Sequence, residues 1–321
     1  MSGELIPKSV KKVLLKQKYH IVGSHSAVKT CRWLRKSLVG DTVCYKSKFY
    51  GIQTHRCLQM TCALNLCTQQ CLYCWRYYDS SVDRTTMVNI EVDNPQEIIK
   101  GALVEQKRLL SGYNPKAHKK VDPKKYNEAL SPRHVAISLS GEPALYPRLG
   151  ELIEEFHRMD FTTFLVTNGT VPDRLSEITE PTQLYISLSA PTEEIYRRLC
   201  KPQIPNGWKK LNETLELLHS FNCPTVLRLT LIKQHNLEHV EDYAKLITKA
   251  ESVYIEPKAY MWVGHSRDRL ALTHMPLHEE IRAFAEKLSQ LTGYKILDEV
   301  SMSRVVLMSK LDKPKKLTSS E

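Results

Sequence analysis

Residues 65–75 read NLCTQQCLYCW, so that Cys67, Cys71 and Cys74 follow the spacing Cys-x3-Cys-x2-Cys. Three thiolates at this spacing can each bind one iron of a cubane [4Fe–4S] cluster and leave the last iron open to a ligand. Random placement of nine cysteines in a chain of 321 residues would give about 0.007 such triplets. The run therefore indicates an iron–sulfur site. A zinc site or a buried cysteine cluster is the alternative.

The same run resembles the signature of the radical S-adenosylmethionine (SAM) superfamily, whose members cleave SAM reductively to a 5′-deoxyadenosyl radical. In that superfamily the cluster lies in the loop after the first strand, which we assign to the apolar stretch 58–66. The resemblance implies that Tyr73 lies near the adenine of SAM. It also implies that Ser140, Gly141 and Glu142, after the second strand, hold the methionine amino group. Expected contacts for the methionine carboxylate and the ribose follow at later strand ends, namely Thr167, Asn168, Ser187 and Arg228.

Strand-like and helix-like patterns alternate through most of the chain. The predicted helices cover 95–110, 149–159, 209–219, 240–248 and 279–291, and the predicted strands cover 135–139, 163–166, 184–188, 225–232, 253–255 and 305–308. Near-continuous apolar strands that alternate with helices indicate a parallel sheet covered by helices. Sites in such folds are built from the loops at the carboxyl ends of the strands. Together with the superfamily resemblance, this predicts an α/β fold, a partial parallel (β/α) barrel.

Composition limits the classes of protein that the chain can belong to. The longest apolar runs have the length of strands, well short of the roughly 18 residues of a membrane span. The first 20 residues lack the apolar core of a secretory signal and resemble a short amphipathic helix. Seven of the nine cysteines lie within residues 31–74, which favours metal binding in a reducing cytoplasm over a disulfide framework. The net charge of +11 suggests a polyanionic partner or merely a basic surface.

A second group of cysteines consists of Cys31, Cys44 and Cys57, with twelve residues between each neighbouring pair. Three cysteines can hold a second cluster, again with one open iron. A zinc site is the rival interpretation, although zinc sites usually contain two cysteines only two to four residues apart. Zinc would also require another ligand, such as His55 or Cys62. The spacing alone leaves a second cluster, zinc and no metal open.

Longer segments resemble the 4-demethylwyosine synthase family over residues 28–309. They are CYKSKFYGI at 44–52, HRCLQM at 55–60, SLSGEP at 138–143, FLVTNGT at 164–170 and GHSR at 264–267. The resemblance implies a lyase-type radical SAM enzyme with an auxiliary [4Fe–4S] cluster on Cys31, Cys44 and Cys57. Its reaction joins two carbons of pyruvate to N1-methylguanosine beside the anticodon of phenylalanine tRNA. Eukaryotic members add a flavodoxin-like domain. The chain resembles the archaeal form without it, so an external electron donor is expected.

Lys46 lies two residues after Cys44, so any molecule bound at the auxiliary cluster is expected within its reach. A lysine amine can condense with a ketone such as pyruvate to form a Schiff base, provided that its pKa is lowered. The family resemblance favours Lys46 as this catalytic residue. Lys48, or capture of pyruvate by the open iron of the cluster, is the alternative.

These observations predict three segments: a basic, Cys-rich extension over 1–60, a radical SAM domain over 61–309 and a flexible basic tail over 310–321. The expected partners are SAM, pyruvate and tRNA(Phe) carrying N1-methylguanosine, and the expected protein is a cytoplasmic monomer without membrane contact. Basic clusters, including Lys119, Lys120, Lys124 and Lys125, are expected to meet tRNA phosphates. Two rival functions remain: a radical SAM enzyme acting on a peptide or small metabolite, and a non-enzymatic, metal-containing tRNA-binding protein.

Overall fold

Ten strands form one sheet in the computed structural model, which describes residues 6–80, 85–87 and 91–317. The strands are β1 (His20–Val22), β2 (Ser26–Val28), β3 (Cys57–Thr61), β4 (His134–Ile137), β5 (Thr162–Thr167), β6 (Gln183–Ser187), β7 (Thr225–Leu231), β8 (Tyr254–Ala259), β9 (Lys295–Val300) and β10 (Val305–Ser309). The helices are α1 (Lys8–Lys16), α2 (Arg32–Leu38), α3 (Tyr45–Tyr50), α4 (Pro95–Ser111), α5 (Pro123–Ala129), α6 (Leu149–Arg158), α7 (Pro172–Glu177), α8 (Glu193–Cys200), α9 (Gly207–Leu217), α10 (Val240–Ala250) and α11 (His278–Thr292).

The central part of the sheet is parallel, as the alternating pattern predicts. Strands β3 to β8 pair in sequence order, and at least one helix lies between each consecutive pair. The strands at the two edges are antiparallel: β1 and β2 extend the sheet beside β3, and β10 and β9 extend it beside β8. The predicted partial (β/α) barrel of the radical SAM superfamily is confirmed. The antiparallel strands at its edges were not predicted, except for β10 as a possible last strand.

The two faces of the parallel strands pack against different partners. Residues such as Val135, Leu165 and Leu227 join the large core under the covering helices. Their neighbours in sequence point to the opposite face, where Phe164 and Tyr185 pack against aromatic side chains of α3. Helix α3 therefore closes the inner face of the partial barrel. The position of α3 beneath the sheet is what brings Lys46 into the interior.

The N-terminal extension and the tail differ from their predicted organisation. The predicted boundary after residue 60 lies inside β3, and β1 and β2 belong to the same sheet as the parallel strands. Residues 310–317 are not a free tail, because the backbone N–H of Leu317 donates to Tyr50 O and Lys316 Nζ donates to Phe49 O. Residues 318–321 lie outside the described part of the chain.

The predicted helices agree with those of the structure. The amphipathic pattern near the N-terminus corresponds to α1, and all five predicted helices are present within a few residues of their expected bounds. Strand β8 is longer than predicted, so Glu256 and Lys258 lie within the strand instead of after it. In the described residues, no helix combines the length and the apolar character needed to cross a bilayer.

Candidate active site

One large cavity opens at the carboxyl ends of the parallel strands, with a volume of about 710 Å³. Its walls include every residue that was predicted to contact SAM: Tyr73, Ser140, Gly141, Glu142, Thr167, Asn168, Ser187 and Arg228. Cys67, Cys71 and Cys74 line the same cavity, and so does Cys31 of the second trio. The tertiary structure thus brings together residues that lie up to about 200 positions apart in the sequence.

The loop that carries Cys67, Cys71 and Cys74 follows β3 and is fixed by hydrogen bonds from other loops. The side-chain amide of Asn168 donates to Thr68 Oγ1 at 2.9 Å, and its nitrogen lies 3.8 Å from Cys67 Sγ. The backbone N–H of Leu72 donates to Leu199 O at 2.9 Å. The guanidinium of Arg269 donates to the carbonyl oxygens of Leu72 and Cys74. Hydrogen bonds from the protein itself therefore fix the backbone of this loop.

Gly264 and Arg269 support the cysteine loop, a role that the sequence did not predict. Gly264 has a φ of +58°, and a Cβ at this position would overlap the carbonyl group of Trp75. The next backbone N–H, that of His265, donates to Trp75 O at 3.1 Å. The segment 264–269 therefore packs directly on the end of the cysteine loop. The motif GHSR signalled this segment, but not its role in supporting the loop.

The carboxylate of Glu142 links the loops after β4 and β5. It accepts hydrogen bonds from the Thr167 hydroxyl at 2.6 Å and from the backbone N–H groups of Asn168 at 2.7 Å and Ala144 at 3.0 Å. Burial raises the pKa of Glu142 to about 7, while these hydrogen bonds act in the opposite direction. A carboxylate offers about four acceptor positions. One position therefore remains for an amino group in the cavity.

The three cysteines fit an iron–sulfur cluster with one open iron. Cys67, Cys71 and Cys74 face one cavity large enough for a cluster and a cofactor. Asn65, at the start of the loop, also lines this cavity, and its buried Oδ1 and Nδ2 have no hydrogen-bond partner among the described residues. Within those residues, no three His, Cys, Asp or Glu side chains converge on the position of a single metal ion. A cubane differs in placing each thiolate on its own iron.

Gly141 allows the loop after β4 to approach the cysteine loop. Its φ is +77°, and a Cβ would overlap the carbonyl oxygens of Ala63 and Leu66. We expect Gly141→Ala to destabilise the fold by about 1–3 kcal/mol, because it combines left-handed backbone with this overlap. Thermal unfolding measures the loss. Gly112→Ala is the matched control, since Gly112 has a φ of −66° and nothing within 4 Å of a Cβ. An equally stable Gly141→Ala variant would contradict the expectation.

The three thiols of the second trio lie on different elements and interact electrostatically. Cys31 and Cys44 are the N-cap residues of α2 and α3, and Cys57 is the first residue of β3. Burial, followed by repulsion from Cys31, raises the pKa of Cys44 to about 11. Burial and repulsion from Cys31 and Cys44 raise the pKa of Cys57 as well. Ionising these thiols together is unfavourable in the protein alone, and a bound cation reverses that preference.

The two candidates for the fourth zinc ligand, His55 and Cys62, are already engaged elsewhere. His55 Nε2 lies 2.5 Å from a carboxylate oxygen of Glu128. The Cys62 thiol is fully buried and contacts the carbonyl of Pro143, 3.9 Å away. Neither side chain joins Cys31, Cys44 and Cys57. The zinc interpretation of this trio therefore lacks the further ligands that the sequence offered.

Lys46 and Lys48 point in different directions from α3. Lys46 Nζ lies 4.0 Å from the ring centroids of Phe164 and Tyr185, inside the partial barrel. Burial, followed by the charge of Arg228, lowers the pKa of Lys46 to about 7. Lys48 forms an ion pair with Asp298 at 2.6 Å and donates to Glu299 O, on the outer strand β9. Only Lys46 of the two is in a position to act in the interior.

Glu256 organises a buried polar cluster that was not predicted. Its carboxylate accepts hydrogen bonds from the hydroxyls of Tyr50, Tyr45 and Tyr185 at 2.8, 3.2 and 3.2 Å. Arg228 completes the cluster with two N–H groups, each 3.1 Å from Glu256 Oε2. Arg228 was predicted as a SAM contact. It lines the cavity, but its charge is balanced by Glu256 within the protein. The sequence predicted Arg228 inside a strand and Glu256 directly after one.

Comparison with known proteins places this site in a family. Residues 63–247 match the model of the radical SAM superfamily, and residues 249–310 match that of wyosine base formation. The chain is 50% identical to the S-adenosyl-L-methionine-dependent tRNA 4-demethylwyosine synthase of Pyrococcus abyssi over 96% of this chain and 90% of that protein. The identity to the enzyme of Methanocaldococcus jannaschii is 43%, over 95% and 96% of the two chains.

A solved structure is also similar. The structure of TYW1 with a lysine–pyruvate adduct bound has a TM-score of 0.87 and 41% identity, over 97% of this chain and 99% of that one. The resemblance found in the sequence is therefore confirmed, and the two rival functions lose their support. The chain belongs to the radical SAM family of tRNA 4-demethylwyosine synthases.

Proposed function

We propose that this protein converts N1-methylguanosine, next to the anticodon of tRNA(Phe), into 4-demethylwyosine with pyruvate and SAM. The observation that carries the proposal is a single cavity shared by Cys67, Cys71, Cys74, the predicted SAM contacts and Cys31. Lys46 lies on the same inner face of the sheet, against Phe164 and Tyr185. Family membership supports the same reaction, because the relatives carry this activity in their names.

Different residues around the cavity have different roles in the proposed reaction. A cluster held by Cys67, Cys71 and Cys74, with SAM bound to it, would supply the electron transfer and the 5′-deoxyadenosyl radical. Glu142 offers its remaining acceptor position to the amino group of SAM. Tyr73 lies within the cluster loop and lines the cavity wall, where it can contact the adenine. Thr167, Asn168 and Ser187 supply polar groups for the carboxylate and the ribose.

Lys46 forms the covalent link to pyruvate in this proposal. The neutral amine attacks the keto carbon, a C–N bond forms, and water leaves as the imine appears. A pKa near 7 leaves a substantial neutral fraction at neutral pH. The relative whose structure holds a lysine–pyruvate adduct supports a lysine in this role. Lys46 is favoured over Lys48, whose amine is paired with Asp298 outside the cavity.

A second [4Fe–4S] cluster on Cys31, Cys44 and Cys57 is part of the proposal. Cys31 acts electrostatically on Cys44 and on Cys57. Cys44 and Cys57 in turn act electrostatically on Lys46. A cluster held there would lie beside the amine that captures pyruvate. In domain terms, we assign the auxiliary site to residues 1–60 and the radical SAM site to residues 61–309, although β3 crosses this boundary.

The mouth of the cavity is suited to an RNA loop. Arg32, Trp33 and Arg35 of α2 line it, and so does Trp75, which is 46% exposed. The guanidinium carbon of Arg76 lies 3.5 Å from the centroid of the Trp75 ring. Aromatic faces can stack on a splayed base, and arginines can bind the phosphates beside it. The substrate nucleotide would therefore enter between α2 and the end of the cysteine loop.

The segment 112–133 adds positive charge next to this mouth. Val121 and Tyr126 pack against Leu34 and Leu38 of α2, so the segment is anchored beside it. We expect charge reversal at Lys119, Lys120 and Lys124 to weaken tRNA binding and to flatten its dependence on salt. Binding measured across a salt series tests this. Lys125 is left unchanged, since its amine is 3.3 Å from Asp41. Unaltered affinity would show that tRNA does not touch this segment.

The compartment, the oligomeric state and the electron donor of the enzyme also belong to the proposal. We infer a cytoplasmic monomer that receives electrons from an external donor. All nine cysteines are free thiols, which agrees with a reducing compartment. The free thiols also leave both trios available for metal.

Mass spectrometry of tRNA provides the decisive test. The reconstituted protein is incubated without oxygen with SAM, a reductant, ¹³C-labelled pyruvate and tRNA(Phe) that carries N1-methylguanosine. We expect 4-demethylwyosine that contains two pyruvate carbons. The same tRNA with unmethylated guanosine is the control and yields none. SAM cleavage without any labelled nucleoside would contradict the proposed substrate.

A further inference from the structure

Lys258 is a second interior lysine whose charge has no partner among the described residues. It lies on β8, two residues after Glu256, and therefore points to the same inner face of the sheet. The carboxylate of Glu256 is already balanced by Arg228, 3.1 Å away. Lys258 forms no ion pair with any described residue. Its amine donates one hydrogen bond, to Ser303 O at 2.5 Å, and its two other N–H groups have no partner among the described residues.

The position of Lys258 relates it to Lys46. Lys258 lines the cavity directly, and its Nζ is 5.6 Å from the ring centroid of Tyr45, the residue that precedes Lys46. Arg228, Glu256 and Cys44 act electrostatically on both lysines. The two amines therefore approach one region of the interior from different elements, α3 and β8.

An unpaired cation at this depth indicates an anionic ligand. Burial, followed by the charge of Arg228, lowers the pKa of Lys258 to about 8, so the protein surroundings disfavour the ammonium form. A small anion would restore it by supplying the missing charge and acceptors. Ser303, whose buried hydroxyl also has no partner among the described residues, lies beside this amine. The chemistry fits a carboxylate better than a bulky phosphodiester, which the cavity mouth would receive first.

We propose that Lys258 binds the carboxylate of the keto acid whose carbonyl carbon condenses with Lys46. This inference rests on the proposed function, which supplies the imine at Lys46. Lys46 then forms the C–N bond, while Lys258 donates charge-assisted hydrogen bonds to the carboxylate one carbon away. The arrangement selects α-keto acids over uncharged carbonyl compounds. The SAM carboxylate is a less suitable ligand, because the neighbour of Lys258 among the cysteines is Cys44 of the second trio.

Borohydride trapping with two probes tests the role of Lys258 without requiring turnover. Pyruvate and its methyl ester carry the same ketone, but only pyruvate carries a carboxylate. The reconstituted protein is titrated with each probe, reduced, and mapped by peptide mass spectrometry at Lys46. Charge-assisted hydrogen bonds are strong enough that we expect Lys258→Met to raise the pyruvate concentration for half-maximal trapping about 10- to 100-fold. The midpoint for methyl pyruvate should change far less.

Two variants serve as controls. Lys258→Arg keeps the charge and should recover part of the preference for pyruvate over its ester. Lys295→Met removes a lysine from the outer strand β9, where its partner is Asp312, and should leave both midpoints unchanged. Iron content and thermal unfolding verify that each variant is folded.

The outcomes distinguish failure of the role of Lys258 from failure of the proposed function. An unchanged pyruvate midpoint in Lys258→Met, with the adduct still on Lys46, overturns the role of Lys258 alone. An equal rise for both probes also overturns it, because the effect would then not depend on the carboxylate. An adduct found on Lys258 itself means that this lysine forms the imine. Absence of any adduct in the unaltered protein overturns both this inference and the proposed role of Lys46.

Discussion

Lys46→Met is expected to abolish the pyruvate adduct that borohydride traps on the protein. Formation of 4-demethylwyosine should fall by about 100-fold or more, because the variant lacks the amine that forms and positions the covalent bond. Methionine is close to lysine in length and suits the contact with Phe164 and Tyr185, so the fold should persist. The measurements are peptide mapping after reduction with labelled pyruvate and nucleoside analysis of tRNA.

Lys48→Met is the matched control for this prediction. It removes a lysine from the same helix, but one that pairs with Asp298 and is 52% exposed. Adduct and product should both remain at the level of the unaltered protein. If the adduct instead maps to Lys48 and persists in Lys46→Met, the assignment fails. If no adduct forms while the product is still made, capture of pyruvate by the open iron of the auxiliary cluster becomes the better explanation.

Removal of the second cysteine trio should halve the iron content. We expect about eight irons per chain after anaerobic reconstitution, and about four when Cys31, Cys44 and Cys57 are all replaced by alanine. The tricyclic base should no longer form, because the auxiliary site beside Lys46 is lost. SAM cleavage without tRNA should continue to some extent, since Cys67, Cys71 and Cys74 are intact. Iron analysis and electron paramagnetic resonance of the reduced protein measure the two clusters.

Cys223→Ala provides the control for thiol loss. Cys223 lies at the opposite end of the strands, where its backbone N–H donates to Glu180 at 2.7 Å, and it should have no influence on iron. The reciprocal variant, with Cys67, Cys71 and Cys74 replaced, should retain about four irons but no SAM cleavage. Full iron content in the variant that lacks Cys31, Cys44 and Cys57 would show that no second cluster exists.

The sequence alone determined those features that depend on local spacing. The interval between Cys67, Cys71 and Cys74 specifies how three thiols can share one loop, whatever the rest of the chain does. The apolar periodicity predicted the parallel strands and most of the covering helices, because burial on one or both faces leaves a regular pattern. The residues at the strand ends followed from the same logic, since carboxyl ends of parallel strands meet at one edge.

The choice between Lys46 and Lys48 required the tertiary structure. Two residues in a helix are separated by about 200° of rotation, so the lysines leave α3 on different sides. The segment 45–50 was not predicted as a helix. In α3, the aromatic side chains of Tyr45, Phe49 and Tyr50 span an arc of about 140° that includes Lys46 and excludes Lys48. That choice depends on how α3 packs against Phe164 and Tyr185.

The electrostatic interaction among Cys31, Cys44 and Cys57 likewise depends on long-range packing. The same is true of the buried cluster around Glu256. Tyr50 and Glu256 form a hydrogen bond across 206 positions of sequence. No local propensity encodes such a contact, since its free energy appears only once the sheet has formed and α3 has closed it. Lys258 illustrates the same limit. Its position in β8 is local. That it lacks an anionic partner among the described residues is a property of the assembled interior, where Glu256 is paired with Arg228.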